Sequence, residues 1–217
     1  MSIMVEVWGD YAAFNRPEMK TERVSYDCIT PSAARGILDA IYWHPSMHWI
    51  IDCIYVCNPI KTTNIRRNEV KEKISGNKIR TAKNRNQKNV YMCTTDMIQQ
   101  RGAVVLKDVR YVIKAHFEMT SEANESDNPG KIQDIMKRRL ERGQCYHRPY
   151  FGVREFPVNF RRWDEKRKVR TAYQGEKDLG YMLYDMNFTG EDGIEPMFFR
   201  AVLKDGVLDL RDCEVLT

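Results

Sequence analysis

The order of two clearly marked helices among strand-like segments is the feature that most constrains the fold of this chain. Thr30 and Pro31 give the first helix an N-cap and a proline at its first position. Asn128 and Pro129 mark the second helix in the same way, and Gly143 is placed to end it. Strand patterns precede, separate and follow these helices, so the elements run strand, helix, strand, strand, helix, strand.

The strands in this order are predicted from alternating apolar residues or from continuous apolar runs. They are Ile3–Trp8, Trp49–Ile60, Ala103–Leu106, Val109–Met119 and Tyr150–Phe156. Ala103–Leu106 and Val109–Met119 are predicted as adjacent strands, and together they take one place in this order. An order of this kind is typical of the split βαβ, or ferredoxin-like, arrangement that RNA-recognition modules also use. The sequence therefore predicts an α+β fold with a ferredoxin-like N-terminal domain.

The chain is predicted to divide into a large and a small domain. Residues 1–172 hold the ferredoxin-like order, and a polar, basic stretch at about 61–100 interrupts it as an extended insertion or hairpin. Beyond it, strand patterns joined by an Asp205-Gly206 hairpin turn predict a small antiparallel sheet in residues 173–217.

Positive charge is concentrated in two blocks, although the net charge of the whole chain is only +5. Residues 61–90 contain ten basic and two acidic side chains, and residues 131–170 contain thirteen basic and five acidic ones. Residues 171–217 reverse the balance, with four basic and ten acidic side chains. Such blocks favour a polyanionic partner. The alternative is that they are simply a solvated, charged surface.

Several classes of protein lose support because their sequence patterns are missing. No phosphate-binding glycine loop, dinucleotide fingerprint, hydrolase elbow or metalloprotease motif occurs. None of the six cysteines forms a C-x-x-C pair, and Pro45 separates His44 from His48, so neither a metal nor a cofactor is predicted. The apolar run Cys53–Cys57 is too short to cross a membrane, and no signal peptide is recognised, so we expect a cytoplasmic protein with no membrane partner.

Lys114 and His116 are the residues most suited to a catalytic role. They lie two apart on a predicted strand, so both side chains point to the same face. His titrates near neutrality and can move a proton, while Lys can neutralise charge that grows on a phosphate. This pair suits metal-free RNA cleavage, in which a 2′-hydroxyl attacks the adjacent phosphate. The alternative is that these polar residues merely face water.

Tyr42 lies at the C-terminal end of the first predicted helix. Its phenol is able to hydrogen-bond a phosphate or orient a 2′-hydroxyl. The alternative, which helical spacing favours, is that Tyr42 completes the apolar stripe of that helix.

Segments along nearly the whole chain resemble the CRISPR-associated Cas5 family, Dvulg subtype, of type I-C systems. The most specific elements are Tyr42-Trp43-His44-Pro45 and Lys114-Ala115-His116-Phe117, which occur in the family's order. The segments that carry the resemblance are Val5–Ala12, Arg23–Asp27, Pro31–Leu38, Ile41–Pro45, Val112–Glu118, Gly152–Phe156 and Leu179–Met182.

The resemblance implies a fold of the RAMP superfamily and a metal-independent endoribonuclease acting on precursor CRISPR RNA. It implies cleavage at the base of the repeat hairpin, which leaves a 5′-hydroxyl on the guide and a 2′,3′-cyclic phosphate upstream. It also implies that the protein stays on the 5′ handle beside the backbone and large subunits of the surveillance complex, Cascade. The family's tyrosine, lysine and histidine correspond to Tyr42, Lys114 and His116, whereas His44 stands where a lysine is common.

The two basic blocks supply candidate contacts to RNA phosphates. These candidates are Arg66, Arg67, Lys71, Lys73, Arg80, Lys83, Arg85, Lys137, Arg138, Arg154, Arg161 and Arg162. The same blocks would equally serve a non-catalytic subunit that caps the 5′ end of a guide made by another nuclease. A further alternative is contact between the basic insertion and target double-stranded DNA, and these roles are not mutually exclusive.

Overall fold

The structure is a computed structural model that describes residues 2–19, 21–87, 89–125, 127–190 and 193–216. Its strands are β1 (Ser2–Ala12), β2 (Arg23–Val24), β3 (Met47–Val56), β4 (Thr62–Val70), β5 (Ile98–Met119), β6 (Asn159–Arg162), β7 (Glu176–Gly190), β8 (Gly193–Lys204), β9 (Val207–Asp209) and β10 (Val215–Leu216). Its helices are α1 (Pro31–Ile41), α2 (Gly76–Asn84) and α3 (Pro129–Arg142), with a 3₁₀ turn at Thr95–Met97.

One mostly antiparallel sheet organises the molecule, which is a mixed α/β structure. The main path of the sheet runs β10-β8-β9-β3-β5-β1-β6, and β5 lies between β3 and β1. Ile113 of β5 is opposite Val5 of β1 on one side and Ile54 of β3 on the other, in antiparallel register. The short β2 is parallel to β5.

The two long helices begin where their capping residues predicted. The Thr30 hydroxyl accepts a hydrogen bond from the Ala33 amide at 3.2 Å, and the Asn128 side chain accepts one from the Gly130 amide at 2.8 Å. Gly143 ends α3 in the left-handed conformation, with φ of +63°. These helix predictions are confirmed.

Both helices pack on one face of the sheet, which we call the helical face. Buried side chains of α1 and α3, such as Leu38 and Met136, share one core with Val5 of β1 and Ile113 of β5. Alternation along a strand places Lys114 and the other residues adjacent to Ile113 on the opposite face, which we call the open face. The helical face therefore stabilises the fold, and the open face carries the polar side chains considered below.

Two strand predictions are corrected. The predicted pair Ala103–Leu106 and Val109–Met119 is one continuous strand, β5, since its pairing with β1 continues past Asp108, which adopts φ of +54°. Tyr150–Phe156 is a turn and not a strand, since Phe151 donates its amide to the Phe156 carbonyl at 2.8 Å. The fourth strand of the predicted order is β6, which pairs with β1 and whose charged residues concealed it.

The basic stretch after β3 forms a hairpin with the first half of β5. β4 pairs with β5 from Thr62 opposite Leu106 to Val70 opposite Ile98, and α2 lies between the two strands in sequence. We call residues 62–106 the arm. Its hairpin pairing agrees with one of the two predicted forms of this stretch, the hairpin.

The C-terminal strands continue the same sheet. β9 pairs with β3, where Leu208 is opposite Ile54, and β8 pairs with β7, β9 and β10. The predicted turn is confirmed, because Asp205 and Gly206 both have positive φ and join β8 to β9. The domain boundary at residue 172 stays a prediction. In the part of the chain that the structure describes, no helix has the length and apolar character needed to cross a bilayer.

Replacing Gly152 with alanine is expected to lower the free energy of unfolding by about 3 kcal/mol or more. Gly152 has φ of +78°, and a Cβ atom there would lie 2.0 Å from the Ala13 carbonyl oxygen. Gly36→Ala is the matched control, because no neighbouring atom lies within 4 Å of its Cβ position in α1. The control should stabilise the protein by about 0.5–1 kcal/mol. Urea unfolding measures both, and equal stabilities for the two variants would contradict this packing.

Candidate active site

Lys114 and His116 lie on the open face near the C-terminal end of β5. Lys114 is opposite Met4 of β1 and Cys53 of β3, whereas His116 is opposite Ser2 and Ile50. Both side chains are half-buried, and residues two apart on a strand project about 7 Å from each other on the same side. The prediction that they share a face is confirmed.

A β-bulge in β3 brings a carboxylate to His116. The pairing of β3 with β5 shifts between Ile51 and Cys53, so Asp52 is an extra residue and its side chain reaches the open face. The Asp52 Oδ1 atom lies 2.7 Å from His116 Nδ1. A carboxylate accepts a hydrogen bond, so Nδ1 carries the proton and Nε2 is left for proton transfer. The other acid near Nε2, Glu118, lies 3.9 Å away, beyond hydrogen-bond distance.

Sequence reasoning missed Asp52, although a signal was present. It is the only ionisable acid in the otherwise apolar run Trp49–Ile54, and it is 8% exposed in the structure. A buried aspartate is rare unless it has a partner, so its position alone indicated that a polar group faced it.

The Lys114 ammonium makes no ion pair with any acid among the described residues. Its cross-strand neighbour Cys53 does not neutralise it, because burial and the nearby Asp209 carboxylate raise the pKa of the Cys53 thiol to about 11. The thiol is therefore uncharged at neutral pH. The lysine charge on the open face thus remains available to an anionic ligand.

Tyr42 caps the C-terminal end of α1, at the end of the sheet where β3 begins. The Trp49 indole donates a hydrogen bond to the Tyr42 carbonyl at 2.9 Å, and the guanidinium of Arg139 lies 5.0 Å from the centre of the Tyr42 ring. Burial raises the pKa of the phenol, so it stays protonated at neutral pH and is able to donate a hydrogen bond. These contacts belong to the helical side of the sheet, and a joint role with Lys114 and His116 stays a prediction.

Most of the predicted RNA contacts are free to meet a ligand. Nine of these side chains have no acidic partner among the described residues: Arg66, Lys71, Lys73, Arg80, Lys83, Arg85, Lys137, Arg138 and Arg154. Most of the nine belong to the arm.

Three other predicted contacts are held by acids of the protein itself. Arg67 pairs with Glu155 at 2.7 Å, Arg162 pairs with Glu141 at 2.8 Å, and Arg161 pairs with Glu6. Their charge is therefore partly compensated within the fold. Within the described ranges, no three His, Cys, Asp or Glu side chains come close enough together to hold a metal ion.

Replacing Asp52 with asparagine is expected to slow any reaction that uses His116 by about 10- to 100-fold, because the imidazole loses the charged group that orients it. Ligand affinity should not change, since Asp52 is buried and its carboxylate is bound to His116. Rates under single-turnover conditions, measured beside equilibrium binding, separate the two effects. Loss of affinity together with an unchanged rate would contradict this positioning role.

Comparisons with known proteins identify a family model and relatives that match nearly the whole chain. A family model described as CRISPR-associated protein (Cas_Cas5) matches residues 2–211. A protein of Mannheimia succiniciproducens named CRISPR pre-crRNA endoribonuclease Cas5d is 50% identical over 213 residues, which cover 96% of this chain and 94% of that protein. A protein of Thermus thermophilus with the same name is 36% identical over 225 aligned positions, covering 96% of this chain and 90% of that protein.

A solved structure supports the same relationship at the level of the fold. The crystal structure of a CRISPR-associated protein superposes with a TM-score of 0.71 at 25% sequence identity. The match covers 100% of this chain and 97% of the other.

Proposed function

This chain belongs to the CRISPR-associated Cas5 family, and from that membership we propose that it is an endoribonuclease that cleaves precursor CRISPR RNA. Relatives of nearly the same length carry that activity in their names. The observation that carries the proposal is the hydrogen bond of Asp52 to His116, beside the unpaired ammonium of Lys114 on the open face. These groups supply a proton-transfer residue and a phosphate-binding cation without a metal.

The proposed reaction is attack by a 2′-hydroxyl on the adjacent phosphorus. The 2′-hydroxyl loses its proton, its oxygen bonds to phosphorus, and the bond from phosphorus to the 5′-oxygen breaks as that oxygen gains a proton. The products are a 2′,3′-cyclic phosphate and a 5′-hydroxyl. His116 exchanges a proton through Nε2 while Asp52 holds Nδ1, and Lys114 stabilises the negative charge that grows on the phosphoryl oxygens.

Tyr42 is proposed as the third member of this site. Because its phenol stays protonated, it would donate a hydrogen bond to a phosphate oxygen or to the 2′-hydroxyl, and it would not act as a base. Its position near the start of β3 supports this role, since His116 lies at the same end of the sheet.

We also propose that the core of the fold is the ferredoxin-like arrangement of RAMP proteins. The antiparallel order β6-β1-β5-β3, with α1 following β1 and α3 following β5, supports this assignment. The proposal includes the predicted division into residues 1–172 and a small sheet domain at 173–217.

After cleavage the protein is proposed to stay on the 5′ handle of the guide and to assemble with the backbone and large subunits of a type I-C surveillance complex. The unpaired cations of the arm support binding to a nucleic-acid backbone. The same surface would also suit target double-stranded DNA as a second role within the assembled complex.

Incubation of the purified protein with its repeat RNA in excess chelator tests the proposed activity. Cleavage at one position in the repeat is expected, because none of the proposed groups requires a metal. Tight binding of the repeat with no product at any pH would overturn the assignment and would favour the non-catalytic binding subunit.

A further inference from the structure

Glu6 is a buried acid on the open face that the proposed reaction does not use. It is 1% exposed, and its strand neighbours Val5 and Val7 point to the helical face. Burial of a carboxylate is costly unless it is paired. Here two guanidiniums from different strands supply the pairing: Arg110 of β5 donates through Nε to Oε1 at 2.6 Å, and Arg161 of β6 donates to Oε2. Glu6 therefore fixes both arginines in place.

Arg161 is held by two contacts and still remains exposed to solvent. Its guanidinium carbon lies 5.5 Å from the centre of the Trp8 ring, so the tryptophan supports it on one side while Glu6 binds its edge. The Arg161 side chain nevertheless remains 61% exposed. A planar guanidinium that is anchored and exposed in this way is a surface on which nucleobases stack.

These residues line a cleft of about 640 Å³ between β1, β5 and the segment that follows β3. Its charged side chains balance, because Glu6, Asp10 and Asp108 oppose Lys61, Arg110 and Arg161. A balanced site offers a phosphate little net attraction, whereas it offers hydrogen-bond donors and acceptors together with a flat group. That combination suits the edge and face of a base more than the backbone.

We propose that this cleft binds one unpaired nucleobase of the RNA substrate, stacked on Arg161. The proposal rests on the RNA cleavage proposed above. Arg110 lies four residues before Lys114 on β5, so the cleft is about 13 Å from the lysine along the same open face. The bound base would fix the register of the RNA with respect to Lys114 and His116. Glu6 acts as a positioning residue, since it touches the two arginines and not the RNA.

Thermodynamic coupling between a base and Arg161 tests this site. Repeat RNAs that carry a 2′-deoxy scissile nucleotide, and an abasic residue at each position in turn, are bound to the wild-type protein. Removal of one particular base should weaken binding by about tenfold. In Arg161→Lys, which keeps the charge but loses the plane, removal of the same base should have no further effect. Tyr181→Ala, which alters an exposed aromatic on β7, is the control and should retain the full sensitivity.

Two results would overturn the proposal that this cleft binds a base. One is a wild-type protein that shows no sensitive position, and the other is an Arg161→Lys variant with undiminished sensitivity at the position found. Glu6→Gln should reproduce the Arg161→Lys result with the fold intact, and should also spread cleavage over neighbouring phosphates. The cleavage reaction distinguishes the two proposals, because failure of the base site leaves wild-type cleavage of the repeat unchanged.

Discussion

Replacing His116 with alanine is expected to lower the rate of repeat cleavage by about 10²- to 10⁴-fold. The reaction needs one proton removed from the 2′-hydroxyl and one delivered to the leaving 5′-oxygen, and His116 is the proposed carrier. Nδ1 is bound to Asp52, so Nε2 is the nitrogen that the substrate meets. Affinity for a repeat RNA that cannot be cleaved should be unchanged, since the cations of the arm remain in place. Single-turnover rates with excess protein measure the first effect, and fluorescence anisotropy measures the second.

His147→Ala is the matched control for this experiment. His147 is also solvent-accessible, but it lies beyond α3. The centre of its ring is 5.9 Å from the centre of the Tyr146 ring. This variant should cleave at the wild-type rate. Undiminished cleavage by His116→Ala, or an equal loss in both variants, would remove His116 from the proposed mechanism.

A single 2′-deoxy substitution at the scissile nucleotide is expected to abolish cleavage of the repeat. The substitution removes the nucleophile, while the phosphate contacts proposed for the arm and for Lys114 are retained. The same substitution one nucleotide away should leave the rate close to that of the unmodified RNA. Both RNAs are compared with the wild-type protein in chelator, with denaturing gels as the readout. Cleavage of the deoxy RNA at the original position would mean that water or another group attacks the phosphorus.

Local signals in the sequence correctly predicted α1, α3 and the face that Lys114 and His116 share. The capping residues Thr30 and Asn128 determine where α1 and α3 begin, and these interactions depend only on neighbouring residues. The alternation in β5 was sufficient to place Lys114 and His116 together, because a strand has a period of two.

The errors arose where distant residues determine the structure. β6 is short and charged, and it is a strand because it pairs with β1 at the edge of the sheet. β5 continues through Asp108, which has a positive φ, because β1 pairs with the strand on both sides of this residue. In both cases tertiary pairing outweighed the local preference that the sequence displays.

For the same reason, the sequence predicted Lys114 and His116 but not Asp52. Asp52 reaches His116 because of a bulge, and the registry of β3 against β5 is not encoded in either segment alone. The charge blocks were informative about a polyanion, but they did not separate cations that are free, such as Lys83, from those that are paired, such as Arg162. Separating these groups required the positions of Glu6, Glu141 and Glu155, which come from other elements of the fold.

The chemical identity of the new RNA ends distinguishes attack by the 2′-hydroxyl from attack by water. The purified protein is incubated with repeat RNA in chelator, and the two fragments are analysed by mass spectrometry. We expect a 2′,3′-cyclic phosphate on the upstream fragment and a 5′-hydroxyl on the downstream fragment. A 3′-hydroxyl with a 5′-phosphate would contradict it, because those ends require attack by water and not by the 2′-hydroxyl.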